Sequence, residues 1–274
     1  AARDRNHDAF LAVWKAADAL PSLEHAWLFD HFAPIHGDIN GASLEGWTLL
    51  AAFAAQTTRL RVGLLVTGNT YRHPTVLANM AATVDIISNG RLDFGIGAGW
   101  SEYEHGSMGI PLYTPAERIR RLGEACVIIK QLFTQPLSNF EGRYYQVKEA
   151  RCEPKPVQKP HPPFVIGGGG EQLTLRVVAE HADIWNFPGP AASAEEFSRK
   201  VSILHKHCEA VGRDPAAIKL SAQLMVNYDN LRETTEAVQR FVDAGATHIV
   251  LNLRPPYPDG IVQRLADEVI PHGG

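Results

Sequence analysis

A chain of 274 residues with 45% hydrophobic content and a formal net charge of −4 has enough apolar side chains for one large core, and α/β barrels occupy this length as one domain. Its Lys and Arg are scattered rather than gathered into the basic stripe that neutralises a nucleic acid, and runs such as Leu49 to Ala55 are far too short to span a bilayer. Three cysteines, Cys126, Cys152 and Cys208, are odd in number and widely spaced, which argues against a disulfide framework and a zinc knuckle.

No metal, nucleic-acid or membrane partner is therefore expected. The start, Ala1 to Asp8, has neither a charged n-region nor an apolar h-region, so the expectation is a cytoplasmic protein.

In chain order, a helix over Asp8 to Leu20 is followed by strands near Ala26–Asp30 and Leu60–Val66. Pro74 opens a helix with Leu77, Met80, Val84 and Ile87 on one face and Gly90 as its stop, leading to a strand at Leu92–Gly97. Thr114-Pro115-Ala116-Glu117 combines a capping box with proline at the first helical position, ahead of Ile119, Leu122, Cys126, Ile129 and Phe133 at helical spacing. From Gln135 to Pro163 the chain is rich in Pro, Gly and aromatics and too long for an ordinary connection. Its centre, Phe140 to Val147, has the pattern of a small hairpin, which serves either as a packed surface insertion or as a wall over a barrel mouth. Strands then follow at Phe164–Gly167, Ile184–Phe187, Lys219–Val226 and His248–Leu253, with helices over Glu171 to His181 and from Ser193 to Gly212 between them.

This alternation of βα units predicts a (β/α)8 TIM barrel over residues 1–274, with the 135–163 insertion at its mouth. Seven strands are counted where a closed barrel needs eight, and the first helix has no strand ahead of it. A first strand upstream of Ala1 is the expectation.

Active sites of such barrels lie on the loops after the strands. Asp30 and His31 leave the first of the seven strands, and a histidine there either packs as structure or works as an acid or base near neutral pH. Thr67 to His73 runs straight into a helix N-terminus, where hydroxyls, amides and Arg72 suit an anionic group or simply cap the helix. Gly95-Ile96-Gly97-Ala98-Gly99 superficially resembles a dinucleotide fingerprint, but no third glycine stands at the required spacing and no matching acidic partner follows. Gly167 to Gly170 strips side chains from a strand-to-helix turn, as a phosphate cradle does. Ser101 with Glu104 forms a plausible capping box.

Leu28-Phe29-Asp30-His31-Phe32, Thr70-Tyr71-Arg72-His73-Pro74, Gly90 to Trp100, Phe140-Glu141-Gly142-Arg143-Tyr144-Tyr145, Pro154-Lys155-Pro156 with Pro160-His161-Pro162-Pro163, and Gly167 to Gly170 occur in this order. Over about Asp8 to Pro271 the chain thereby resembles luciferase-like monooxygenases, and more narrowly the branch that uses the deazaflavin coenzyme F420. The resemblance implies hydride transfer between F420 and a small organic substrate in a homodimer, with His31 catalytic beside the coenzyme ring and Asp30 in contact with it. It implies a ring-supporting bulge with a non-proline cis peptide about Leu64, Leu65 and Val66. It also implies coenzyme contacts at Thr67, Ala98, Gly99, Gly168, Gly169 and Gly170, and a substrate pocket walled by Trp100 and Tyr145. Where the sugar-phosphate dehydrogenases of that branch carry a catalytic Glu after Gly-x-Gly, this chain has Trp100. An FMN-dependent monooxygenase of the same fold and a non-catalytic flavin-binding protein are the alternative readings.

Overall fold

The structure, a computed structural model, describes residues 5–35, 37–187 and 193–270; residues 1–4, 36, 188–192 and 271–274 lie outside it. Helix α1 (Arg5–Asp18) precedes β1 (His25–Leu28), α2 (Gly46–Ala54), β2 (Arg61–Leu64), β3 (Thr67–Gly68), α3 (Pro74–Ile87) and β4 (Leu92–Gly97). Next come α4 (Glu102–Met108), α5 (Pro115–Thr134), β5 (Ser138–Glu141), β6 (Gln146–Ala150), β7 (Phe164–Gly167), α6 (Thr174–His181) and β8 (Ile184–Phe187). The chain continues through α7 (Ala194–Val211), β9 (Lys219–Met225), α8 (Leu231–Asp243), β10 (His248–Asn252) and α9 (Ile261–Glu268).

Every strand placed from the sequence is present: β4, β7 and β8 have the expected bounds, β2, β9 and β10 are one to three residues shorter, and β1 begins one residue earlier and ends two sooner. Helix ends follow local chemistry. Thr114 and Ser193 accept from the N–H groups of Glu117 and Glu196, and Gly212 closes α7 with φ 71°. The apolar face of α5 buries Leu122, Cys126, Ile129 and Phe133, and Leu122, Ile129 and Phe133 are each worth roughly 1.5–3 kcal/mol if fully removed from water. Phe133 meets Phe94 and Phe164 edge to face, which fastens α5 across β4 and β7.

The main sheet is parallel, in the order β1-β2-β4-β7-β8-β9-β10, with β3 pairing β4 beyond a break in the second strand position. It curls until side chains of its two edge strands meet: the His25 and His248 rings lie 4.7 Å apart. Among the described residues, however, β1 and β10 share no backbone hydrogen bonds, so the sheet is curled and parallel without closing between these two strands. Between those edges lies a cavity of about 890 Å3, bordered by Leu28 and Leu251 from the strands and by Val13 and Leu265 from α1 and α9.

The insertion reaches both ends of the sheet. Its hairpin, β5 with β6, turns at Gly142–Tyr145, where the Glu124 carboxylate of α5 accepts from the N–H groups of Arg143, Tyr144 and Tyr145. The Tyr145 hydroxyl accepts from Asn69 just beyond β3, at the mouth. The rest packs toward the opposite end, with Gln158 donating to Asp85 and to the Leu92 carbonyl at the start of β4. No helix among the described residues is long and apolar enough to cross a membrane.

Candidate active site at the strand ends

Leaving β1, Asp30 turns inward and is 1% exposed. It accepts from Arg72 Nη1 at 2.6 Å, from Arg72 Nη2 at 3.0 Å and from the Thr67 hydroxyl. Arg72 also donates to Glu45 at 2.6 Å, and Trp47 Nε1 donates to Thr67 at 3.2 Å. Burial alone would raise the Glu45 carboxyl, but hydrogen bonds from Thr48 and Trp47 together with the Arg72 charge hold it below its ordinary value. The sequence left this loop, with Arg72, either to an incoming anion or to helix capping. Instead two carboxylates of the chain already neutralise it.

His31 points to the other side of the same loop, and its ring is largely buried, with 13% of the side chain exposed. Nδ1 lies 2.8 Å from Oε2 of Glu104, and the Trp100 ring stands edge-on at 5.4 Å. Glu104 is 1% exposed and accepts four hydrogen bonds. Oε2 takes His31 and, at 2.5 Å, the Tyr71 hydroxyl; Oε1 takes the N–H groups of Phe32 and Ala33. Burial by itself would raise this carboxyl, yet the bonds from Tyr71, His31 and Ala33 bring it down to about 2. Tyr71 is shifted well up, by burial first and then by Glu104.

The capping box expected at Ser101 is therefore half made. Ser101 accepts from the Glu104 N–H at 3.3 Å, while the Glu104 side chain serves His31 rather than its own helix. Sequence reading missed this role, because His31 and Tyr71 are 73 and 33 residues away and no local pattern marks the pairing.

Between these two clusters, β2 passes into β3 through Leu65–Val66, a non-proline cis peptide that falls within the span the resemblance indicated. Leu64 is fully buried, Leu65 is 5% exposed, and Thr67 is sealed in the Asp30 cluster. A side chain on Gly95 of β4 would place its Cβ 1.8 Å from the Leu64 carbonyl oxygen, so only glycine lets β4 lie against this bulge. Ala98 and Gly99 follow β4, with Gly99 against Thr70, whose hydroxyl lies 2.7 Å from Nε2 of His105.

Beyond β7 the glycine run turns toward α6, which begins at Thr174 rather than at Glu171 as expected. Gly168 adopts φ 142°, and a Cβ there would meet Thr174 Cγ2 at 2.6 Å, so the backbone must stay bare. Its N–H is directed to the Asn186 carbonyl at 3.3 Å and its own carbonyl accepts from Trp185 Nε1, which ties this glycine into the barrel wall. No side chain caps the start of α6. Lys200 of α7 donates to the Gly169 carbonyl at 2.7 Å and to Glu171 at 2.9 Å, bringing a cation to the loop that the sequence did not indicate.

The expected site residues thus fall into three groups along one rim of the sheet: Asp30 with Thr67, His31 with Trp100, and Gly168 to Gly170, with Leu64, Leu65, Ala98 and Gly99 between them. Tyr145 joins through Asn69, whose Oδ1 is buried with no hydrogen-bond partner among the described residues.

The family model for luciferase-like monooxygenases matches residues 5–265. The chain belongs to that family. Among relatives of this family member, a pyrimidine monooxygenase of Allorhizobium ampelinum is 34% identical over 197 residues, covering 70% of the chain and 51% of that protein. An F420-dependent glucose-6-phosphate dehydrogenase of Amycolatopsis mediterranei is also 34% identical, over 150 residues, covering 54% of the chain and 44% of that protein. The chain spans about half the length of these two relatives. In fold it is similar to the coenzyme F420-dependent tetrahydromethanopterin reductase of Methanopyrus kandleri, with a TM-score of 0.80 and 19% identity over 97% of this chain and 95% of that one.

Proposed function

We propose that this chain is an oxidoreductase that binds coenzyme F420 along the rim from Asp30 to Gly170 and reduces or oxidises a small organic substrate. When bound, the deazaflavin supplies or takes two electrons as a hydride. The observation that carries the reading is the His31–Glu104 pair, set beside Trp100 and next to a stretch of rim kept bare by glycine.

The residues present fit such a group. Gly95 lets β4 lie against the bulge at Leu65, Ala98 and Gly99 follow it, and the buried Asn69 Oδ1 offers an acceptor that the described residues leave unused. Gly169 and Gly170, ahead of an uncapped helix start and beside Lys200, suit a phosphate. Asp30 and Thr67 act through Arg72 and Trp47 to hold the wall of the site. His31 donates or accepts the substrate proton that accompanies hydride transfer, and Trp100 and Tyr145 exclude water from the substrate side. In this reading residues 1–274 form one domain and the protein works as a homodimer.

Similarity to a pyrimidine monooxygenase over 70% of the chain supports a second reading, with FMN in the same place and oxygen as co-substrate. Fluorescence titration of the purified protein with both coenzymes at equal ionic strength separates the two. Tighter binding of F420 is expected; tighter binding of FMN would move the protein to the oxygen-using class, and binding of neither would refute both.

A further inference from the structure

Glu104 is a buried carboxylate surrounded by donors alone. Two are backbone N–H groups, of Phe32 at 2.6 Å and Ala33 at 3.1 Å, and they hold Oε1. The other two, His31 and Tyr71, converge on Oε2. An ionised carboxylate accepts and cannot donate, so the imidazole nitrogen facing it must carry the proton. The neutral His31 ring is thereby fixed as the Nδ1–H tautomer. Among the described residues Nε2 makes no hydrogen bond, and its lone pair lies on the side of the ring away from Glu104.

The groups facing this pair come from every neighbouring element. Trp100 precedes α4 and stands over His31, and Tyr71 comes from the loop before α3. His105 of α4 stacks on Tyr71 at 5.0 Å and is itself anchored to the Ser101 carbonyl and Thr70. The Arg72 charge next along the chain is matched by Asp30 and Glu45, so it does not compete for Glu104.

We propose that Glu104 is the positioning residue of His31, holding the ring as the Nδ1–H tautomer so that Nε2 is the atom that exchanges a proton with substrate. The proposal rests on the reading of His31 as the proton-transfer group. A second-sphere carboxylate that fixes a histidine tautomer is a recurrent device, and its loss costs on the order of tenfold to a hundredfold where it has been removed from metal-bound histidines.

Glu104→Gln makes a specific prediction. Its one carbonyl oxygen is needed by the Phe32 and Ala33 N–H groups, so its amide N–H must point at His31 and Tyr71, turning Nδ1 into an acceptor and driving the ring to Nε2–H. The test is 15N NMR of histidine-labelled protein without coenzyme, at a pH where the ring is neutral. Wild type should show Nδ1–H at His31, Glu104→Gln should show Nε2–H, and Tyr71→Phe, which removes only the competing donor, should keep Nδ1–H. Nε2–H in the wild type, a measurement that needs no variant to fold, would overturn the proposal, as would an unchanged tautomer in Glu104→Gln. A tautomer switch accompanied by wild-type turnover in His31→Ala would refute His31 as the proton group while leaving its positioning by Glu104 intact.

Discussion

Arg72→Met is expected to cost about 3–5 kcal/mol of folding stability, because it strands a buried carboxylate. Asp30, 1% exposed, loses its donors at 2.6 and 3.0 Å and keeps only the Thr67 hydroxyl; Glu45, about a third exposed, recovers water. For a chain of this length, with roughly 2.1 cal/mol/K of unfolding entropy per residue, that corresponds to a drop in melting temperature of about 5–9 °C. Urea melts of Arg72→Met, Asp30→Asn and the double variant give the coupling directly, and the double variant should be less damaged than the two single losses added together. A cost below about 1 kcal/mol for Arg72→Met would refute the clamp and return Arg72 to the role of an anion ligand.

Two further expectations follow from the same rim. The Glu104 carboxyl is depressed in the fold to about 2 from an ordinary value of 4.5, so its contribution is fully present above about pH 4.5 and is lost as pH falls through 2. Glu104→Gln should flatten the acid limb of a stability–pH curve measured by denaturant unfolding; an unchanged limb would count against the assignment. Gly169→Val should weaken coenzyme binding while thermal unfolding shifts little, since the side chain enters the space given to the phosphate. Normal binding by that variant would remove the glycine run from the site.

Most of the frame was legible because its signals are local. Leu92–Gly97 and Phe164–Gly167 are short runs without polar alternation, as strands covered on both faces require, and both fall where expected. Proline and hydroxyl caps marked the starts of α3, α5 and α7. Helix α2 passed unnoticed: it is apolar on nearly every side, so no amphipathic period stands out, and its cap is Glu45, outside the usual capping set. The start of α6 was placed three residues early because the glycine run continues into a turn at Glu171 before helical bonding begins.

Side-chain partnerships were far less legible. His31 and Trp100 were picked out singly, yet their meeting depends on β1 and β4 delivering them to one rim from 69 positions apart. Glu104 looked like a helix cap, and half of that reading holds. Its larger role comes from the fold alone, as does the pairing of Arg72 with two carboxylates.

The most direct test of the oxidoreductase reading is single-turnover reoxidation of the chemically reduced, F420-loaded protein by an accepted substrate, compared between wild type and His31→Ala with thermal unfolding measured alongside. His31→Ala should reoxidise on the order of a hundredfold more slowly with little change in melting temperature. Reoxidation at the wild-type rate in a protein that melts earlier would make His31 a packing residue and contradict the mechanism.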